Sequence, residues 1–522
     1  MNKRLLLTGA ATLALLFGNV TPAAAQNTLR WASQGDALTF DPHAQNHGPT
    51  NTQNKQVYES LVLRRADQSL EPGLAVDWEP VEPTTWEFQL REGVVFHDGA
   101  DFTAEDVVFS FQRAQAETSD FTGYITSVGE VEAVDDYTVL IHTVGPNPIL
   151  PQQLTELSMV DKDWAEANGV EVPQDYAGGE ETYAVRNANG TGPFRLELRE
   201  PDVRTVMVRN DEWWGLEQDP HNIDEIVYTP IQNAATRIAA LLSGEVDFVL
   251  DPPLQDLARI ESTPGLETIS TPQIRSIFFG VDLASDELRY TDGNPFKDAR
   301  VRQAIYQATD VEAIRSRIMR DLSAPAGVIA PPGVHGYSEE LDTRLAFDVD
   351  AAKALMADAG YPDGFSTTLH CPNDRYINDE AICQAMVAML AQIGISVNLM
   401  AQPNSIHFQE LQNGEHDFYM LGWGVPTLDS HYIFNFLYKG DGSWNFTGYD
   451  NERVNELTAQ IEATIDLDER DAMIAEAWDI VQSDIVYVPL HHQVITWAMK
   501  ETLEMPIEAQ DSPQFRWARL AE

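Results

Sequence analysis

The amino-acid sequence predicts an α/β protein of two or three domains. Three observations carry this expectation. A chain of 522 residues exceeds what a single hydrophobic core organises. The stretch Thr367–Met400 reads strand–helix–strand, the pattern of a parallel pair. Far upstream, Trp86–Leu90 and Tyr137–His142 alternate apolar and polar residues around a capped helix, which marks a separate small α+β unit.

Taken in order, Leu29–Ala32 reads as a first strand. Gly35–Thr52 is a polar loop rich in Asp, Asn, His and Pro, holding His43 and His47. A long loop of this kind inside a compact domain is usually functional, which places it at a cleft. Gln53–Leu63 is expected to be helical. Thr103 starts the helix of the α+β unit, with Asp106 three positions on as a capping box. Trp164–Gly190 reads as surface loop, and Gly190–Phe194 as a tight turn into a strand. Asn233–Leu242 is a helix stopped by Gly244, and Val246–Leu250 the following strand. Thr271-Pro272 interrupts a strand-like run that resumes at Ile277, a crossing between lobes. In the second half, Asp298 caps one helix, and Asp350 opens another that ends at Gly360. Thr367–Cys371, Asp379–Ile393 and Ile395–Met400 form the strand–helix–strand unit. Glu452–Gln482 is helical and precedes Ile485–Leu490, and Val494–Met499 returns the chain toward the first lobe.

Composition narrows the function. Hydrophobic residues at 43% and aromatics at 9% are globular values. Lys and Arg number 33 against 82 Asp and Glu, a net charge of −49. An acidic surface repels nucleic acid and anionic membrane, so neither is an expected partner. Residues 1–25 read as a signal peptide: Lys3 and Arg4, an apolar centre from Leu5 to Gly18, then Ala23-Ala24-Ala25. Cleavage after Ala25 removes 25 of 522 residues, leaving 497, and takes the charge from −49 to −51 with the loss of Lys3 and Arg4. No other apolar stretch approaches the ~20 residues that span a bilayer. The expected product is exported and soluble, most simply periplasmic. An oxidising compartment permits a disulfide between Cys371 and Cys383. A metal pair is disfavoured, because no C-x-x-C and no His at ligand spacing accompanies them.

Asp417–Phe436 has the composition of a ligand pocket. Phe418–Leu421 reads as a strand that breaks at Gly422-Trp423-Gly424, and Pro426 prevents its continuation. Two glycines beside an indole allow close approach of another body. Asp429, His431 and the aromatics Tyr432, Phe434 and Phe436 follow. One broad apolar surface with a few placed polar groups suits an organic solute; a core Trp beside an ordinary loop is the alternative. Motifs for catalysis are missing: there is no G-x-x-x-x-G-K-[ST], no H-E-x-x-H and no G-x-S-x-G. No cofactor and no metal is expected. His491-His492 alternate faces on a strand and are assigned structural roles.

Five motifs then carry a resemblance. TWEFQLREGVVFHDGADFTAEDVVFSFQRA (Thr85–Ala114), GTGPFRL (Gly190–Leu196), LLSGEVDFV (Leu241–Val249), NPFKDARVRQAIYQATD (Asn294–Asp310) and Gly422-Trp423 follow one another in order. The chain resembles the family 5 extracellular solute-binding proteins of ABC importers, the dipeptide- and oligopeptide-binding proteins and their relatives. The resemblance implies a two-lobed periplasmic binding protein fold, with an extra small α+β domain in the first lobe and two hinge crossings. Lobe I would span 26–270, with the small domain at about 66–185; lobe II 271–492; and 493–522 would return to lobe I. The hinge would lie near Ile269–Ser276 and His491–Thr496. Ligand closes such a hinge by favouring the closed state.

The same resemblance implies a non-catalytic receptor, monomeric, that hands a small organic ligand to an ABC importer permease. A short peptide is the expected ligand; an oligosaccharide, opine or metal chelate is the alternative, and a secreted hydrolase the remote one. Peptide binders carry an Asp for the ligand's amine three residues after the Trp; here that position is Pro426. The candidate contacts are Trp423 for stacking, Gly422 through its backbone, Asp429 for a cation, Arg375 for an anion, His47 from the opposite lobe, and Trp444 and Asn445 along the cleft. For Arg375 a surface ion pair is the alternative.

Overall fold

The computed structural model describes residues 27–176, 178–289 and 291–521. The expected signal peptide lies outside them. Two long antiparallel strands, Leu266–Val281 and Tyr487–Lys500, run side by side through the molecule. They belong to one continuous sheet with parts in both lobes. On one flank, Tyr487–Lys500 pairs with Phe248–Leu250, which continues to Thr28–Ser33, Glu225–Pro230, Arg204–Arg209 and Phe194–Glu200. On the other flank, Leu266–Val281 pairs with Phe418–Gly424, then Ser366–Pro372 and Ser396–Gln402. The pairing of the two long strands shifts register between Pro272 and Ser276. Pro272 cannot donate to the ladder, which gives the shift a local cause.

Each unit has its own core. The first lobe packs Trp31, Tyr228, Phe248, Trp497 and Phe515. The second packs Ile277, Phe279, Leu369, Met386 and Phe418 on one side of its sheet and Phe278, Tyr419, Phe434, Trp478 and Tyr487 on the other. The small domain is a four-stranded sheet in the order Ala75–Glu82, Thr85–Leu90, Thr138–Thr143, Val128–Asp135. The helix Ala104–Ala114 lies on it.

Several local expectations hold in detail. Thr103 and Asp106 form the capping box, Asn233 caps Ala234–Ser243 with Gly244 behind it, and Asp298 caps Ala299–Ala308. The parallel pair Ser366–Pro372 and Ser396–Gln402 flanks the helix Asp379–Ala391. Others are corrected. The helix expected at Gln53–Leu63 is Gly48–Asn54, begun by Pro49 in its first turn; Val62–Arg64 is a strand. The region read as loop at Trp164–Gly190 opens on the helix Lys162–Asn168, capped by Asp161 and ended by Gly169 in the left-handed conformation. Asp348, not Asp350, caps Val349–Asp358. Val494–Met499 lies within the long strand Tyr487–Lys500, which also takes in the end of Ile485–Leu490.

Candidate functional site: the interlobe cleft

The strand Phe418–Gly424 ends at the seam between lobes, and its two faces do different work. Side chains alternate along a strand, so Gly422 and Gly424 share a face and Trp423 takes the other. A Cβ on Gly422 would stand 2.6 Å from the ring of Tyr376 and from Ile277 Cδ1. The missing side chain is what lets Tyr376 lie on the strand, where its hydroxyl donates to the Gly422 carbonyl at 3.3 Å. Gly424 pairs in register with Arg275, whose guanidinium lies over it. Arg375 precedes Tyr376 and rests 5.1 Å from the centre of its ring.

On the opposite face Trp423 is only 7% exposed. Its indole stacks on Tyr432 at 5.6 Å and meets Phe436 and Trp444. Tyr432 in turn stacks on Tyr124 of the small domain at 6.3 Å. Next to it, Phe436 approaches Gly123. The aromatic run therefore closes the second lobe against the first. Trp423 is engaged with protein rings, and its Nε1 is buried with no hydrogen-bond partner.

The first lobe answers from the loop before Gly48. Asp41 in that loop is fully buried and accepts two hydrogen bonds from Arg113, at 2.8 and 2.6 Å, and one from the Gln174 backbone. Burial pushes its carboxyl up, and Arg113 more than reverses this, holding it below the usual range. This buried pair fixes the loop that carries His47. Burial, and then the Arg375 charge, lower the His47 imidazole to about 4. Gln34 Nε2 donates to the Asp374 carbonyl at 3.2 Å, a direct bond between lobes.

Asp429 has an internal role in place of the expected ligand contact. It caps the short helix Ser430–Ile433. Arg470 donates to both its oxygens at 2.8 and 2.7 Å, and His335 Nδ1 lies 3.0 Å away. Burial raises its carboxyl, but the bonds from His335 and Arg470 prevail and hold it far below the usual range. Asn445 is likewise spent locally, donating to the Lys439 and Tyr449 carbonyls and accepting from Thr447. Trp444 packs on Trp423 and Phe408. Arg375 keeps its guanidinium free of ion pairs among the described residues.

Cys371 and Cys383 are joined, tying the strand Ser366–Pro372 to the helix Asp379–Ala391. The intervening loop carries Arg375 and Tyr376. Among the described residues no three His, Cys, Asp or Glu gather as metal ligands, and no helix is long and apolar enough to cross a membrane. His491 and His492 are buried; His492 bridges Ser276 and Asp342.

Sequence reasoning missed Arg275, Asp251 and Asp511. Burial and then Arg375 lower the Arg275 guanidinium to about 10, against the pull of Tyr376, Asp511 and Asp251. Burial, and then Asp251, raise the Asp511 carboxyl despite Arg275. Asp251 and Asp511 hold left-handed backbone, φ 51° and 61°, which only the structure reveals.

Comparison with known proteins agrees with this architecture. Residues 69–445 match the bacterial extracellular solute-binding proteins, family 5 (middle region). Heme-binding protein A of Haemophilus influenzae is 27% identical over 507 residues, covering 90% of this chain and 88% of the relative. The dipeptide-binding protein of Escherichia coli K12 is 25% identical, covering 92% of each. The periplasmic binding protein DppA of Helicobacter pylori, solved with the peptide STSA, superimposes with a TM-score of 0.82 at 24% identity, covering 95% of this chain and 98% of that one. The chain belongs to the family 5 bacterial extracellular solute-binding proteins, two-lobed receptors that bind a solute and catalyse no reaction.

Proposed function

We propose that this protein captures a short peptide between its lobes and delivers it to the permease of an ABC importer. The observation that carries the reading is Arg375. Its guanidinium has no ion-pair partner among the described residues, although the chain holds 82 acids. It lies on the Tyr376 ring, next to Asp374, whose carbonyl is bonded by Gln34 of the first lobe, and a ligand carboxylate there would complete it. A dipeptide-binding relative and a structural neighbour holding a peptide support the same ligand class.

Export follows the reading of residues 1–25 as a signal peptide, with the mature chain acting as a monomer in the periplasm. The hinge is assigned to Ile269–Ser276 and His491–Thr496, where the two long strands change register. Lobe II then runs from 271 to 492.

A second reading rests on Pro426 and on Asp429 being held by Arg470. Neither offers a carboxylate to a ligand amine, which would suit an opine, an oligosaccharide or a metal chelate. A heme-binding relative shows how wide the family's ligands run. Native mass spectrometry of the purified protein, then of the material released on mild unfolding, separates the two. Masses fitting di- to pentapeptides support the proposal. A single sugar, opine or chelate mass replaces it with the second reading.

A further inference from the structure

The second lobe holds a cavity of about 260 Å³, and none of its lining residues is among the cleft contacts named above. It lies where the two cores of that lobe meet. Tyr306, from the helix Ala299–Ala308, belongs to one core, and Tyr438, Trp478 and Tyr487 belong to the other. Tyr438 stands edge-on to Trp478 at 5.9 Å and to Tyr487 at 5.2 Å. Four buried aromatic side chains therefore wall one space. The faces and edges of such rings suit another aromatic ring.

Among the described residues the wall carries no Asp, Glu, Lys or Arg, in a chain whose charged residues make up 22%. Two cavities of the first lobe differ: Arg64, Glu156 and Glu508 line one, and Arg65, Glu71 and Asp219 the other. Charged neighbours along the chain are engaged elsewhere. Asp484, between Ser483 and Ile485 of the wall, accepts from the Tyr449 hydroxyl at 2.6 Å. Arg344, between Thr343 and Leu345 of the wall, lies over the Tyr306 ring at 4.4 Å and donates to the Ala326 and Pro489 carbonyls. A charge brought against such a wall would be buried without a partner, so the wall selects an uncharged occupant. Size sets the rest. An apolar cavity of about 150 Å³ holds benzene, so this one has room for two fused rings.

Two backbone irregularities border the space. Ile485, in the wall, holds φ 46°, a left-handed conformation that β-branched residues rarely adopt. Such conformations cluster at ligand clamps. Tyr487 and Pro489 reach the cavity from alternate positions of the strand Tyr487–Lys500. The pairing of that strand with Leu266–Val281 shifts register between Phe278 opposite Pro489 and Ile277 opposite His491. Bulges gather beside functional sites, where they re-aim side chains. We infer that this cavity is a second ligand site, which takes a small uncharged aromatic molecule of one or two rings, independently of the solute in the cleft.

The test uses the full mature chain and three probes, indole, phenol and benzoate, titrated by saturation-transfer NMR. Indole and phenol are expected to bind, and benzoate to bind at least about tenfold less than phenol, its uncharged one-ring counterpart. Hydrogen exchange on the wild-type protein locates the indole, with slowed exchange expected over residues 478–489. Val481 lines the cavity, so Val481→Phe puts a ring into the space and is expected to weaken indole binding at least about tenfold. Absence of binding by both indole and phenol overturns the inference, as does benzoate binding equal to that of phenol. Slowed exchange at Gly422 and Trp423 without residues 478–489 overturns it too, and so does unchanged indole affinity in folded Val481→Phe. The exchange pattern decides the matter if that variant does not fold. The peptide reading of the cleft stands under every one of these outcomes.

Discussion

Arg470 grips both carboxylate oxygens of Asp429, at 2.8 and 2.7 Å, across 41 residues of sequence and with both side chains almost fully buried. Breaking a buried pair from one side leaves the other charge uncompensated. Asp429→Asn is therefore expected to destabilise the fold by about 3–5 kcal/mol, read as a lower urea midpoint. Pairing it with Arg470→Met should recover much of that loss. Ligand affinity of the folded fraction should stay the same; a large selective loss of affinity with unchanged stability would return Asp429 to the ligand.

The disulfide closes a short loop, with Cys371 and Cys383 12 residues apart. Loop-closure entropy for that length is worth about 3 kcal/mol. Reduction, or Cys371→Ala with Cys383→Ala, is expected to lower the melting temperature. Because the loop carries Arg375, the reduced protein should also bind its ligand less tightly. Unchanged melting on verified reduction would show that packing alone holds this segment.

Tyr124 and Tyr432 stack across the seam with their planes 20° apart. A ring pair of this kind is worth about 0.5–1.5 kcal/mol. Tyr124→Ala should shift the population toward an open form and weaken ligand binding roughly two- to tenfold. Small-angle scattering of the ligand-free variant is the check: an unchanged radius of gyration would mean that this contact does not govern closure.

Gly422 has no room for a side chain on the Tyr376 side. Gly422→Ala is expected to cost about 1–3 kcal/mol as the Tyr376 ring yields. Displacing Tyr376 moves Arg375, so affinity should fall too. Calorimetric titration and urea unfolding on one preparation read both effects. Wild-type values for both would show that the ring moves aside freely.

Burial lowers His43 and His491 to about 3, and His47 and His97 to about 4. Below the ordinary value of 6.5 the unfolded chain takes up protons that these folded-state rings refuse. Stability is thus expected to fall as pH drops from 6.5 toward 4, by up to about 1.4 kcal/mol per pH unit for each such ring. Asp161, raised by burial to about 6, acts in the opposite sense between 6 and 3.8. Urea unfolding at several pH values measures the net slope. His491→Gln should flatten it; an unaltered slope would show that His491 titrates normally.

Much of this molecule is legible along the chain because helix caps, strand alternation and turn glycines act within a few residues. Thr103 with Asp106, Asn233 with Gly244, and Asp298 announce their helices locally. Five ordered motifs likewise lead to the family. The helix begun by Pro49 was announced too, by a proline at its first turn, and the polar loop around it concealed the signal. The choice of charge partners is of another kind. Asp429 faces Arg470 rather than a ligand, the Arg275 guanidinium lies over Gly424, and Asp511 accepts from the Trp497 indole. Those pairs are assembled from distant strands. With 82 carboxylates in the chain, electrostatic partners are selected by spatial proximity and burial, and neither is a local property of the sequence.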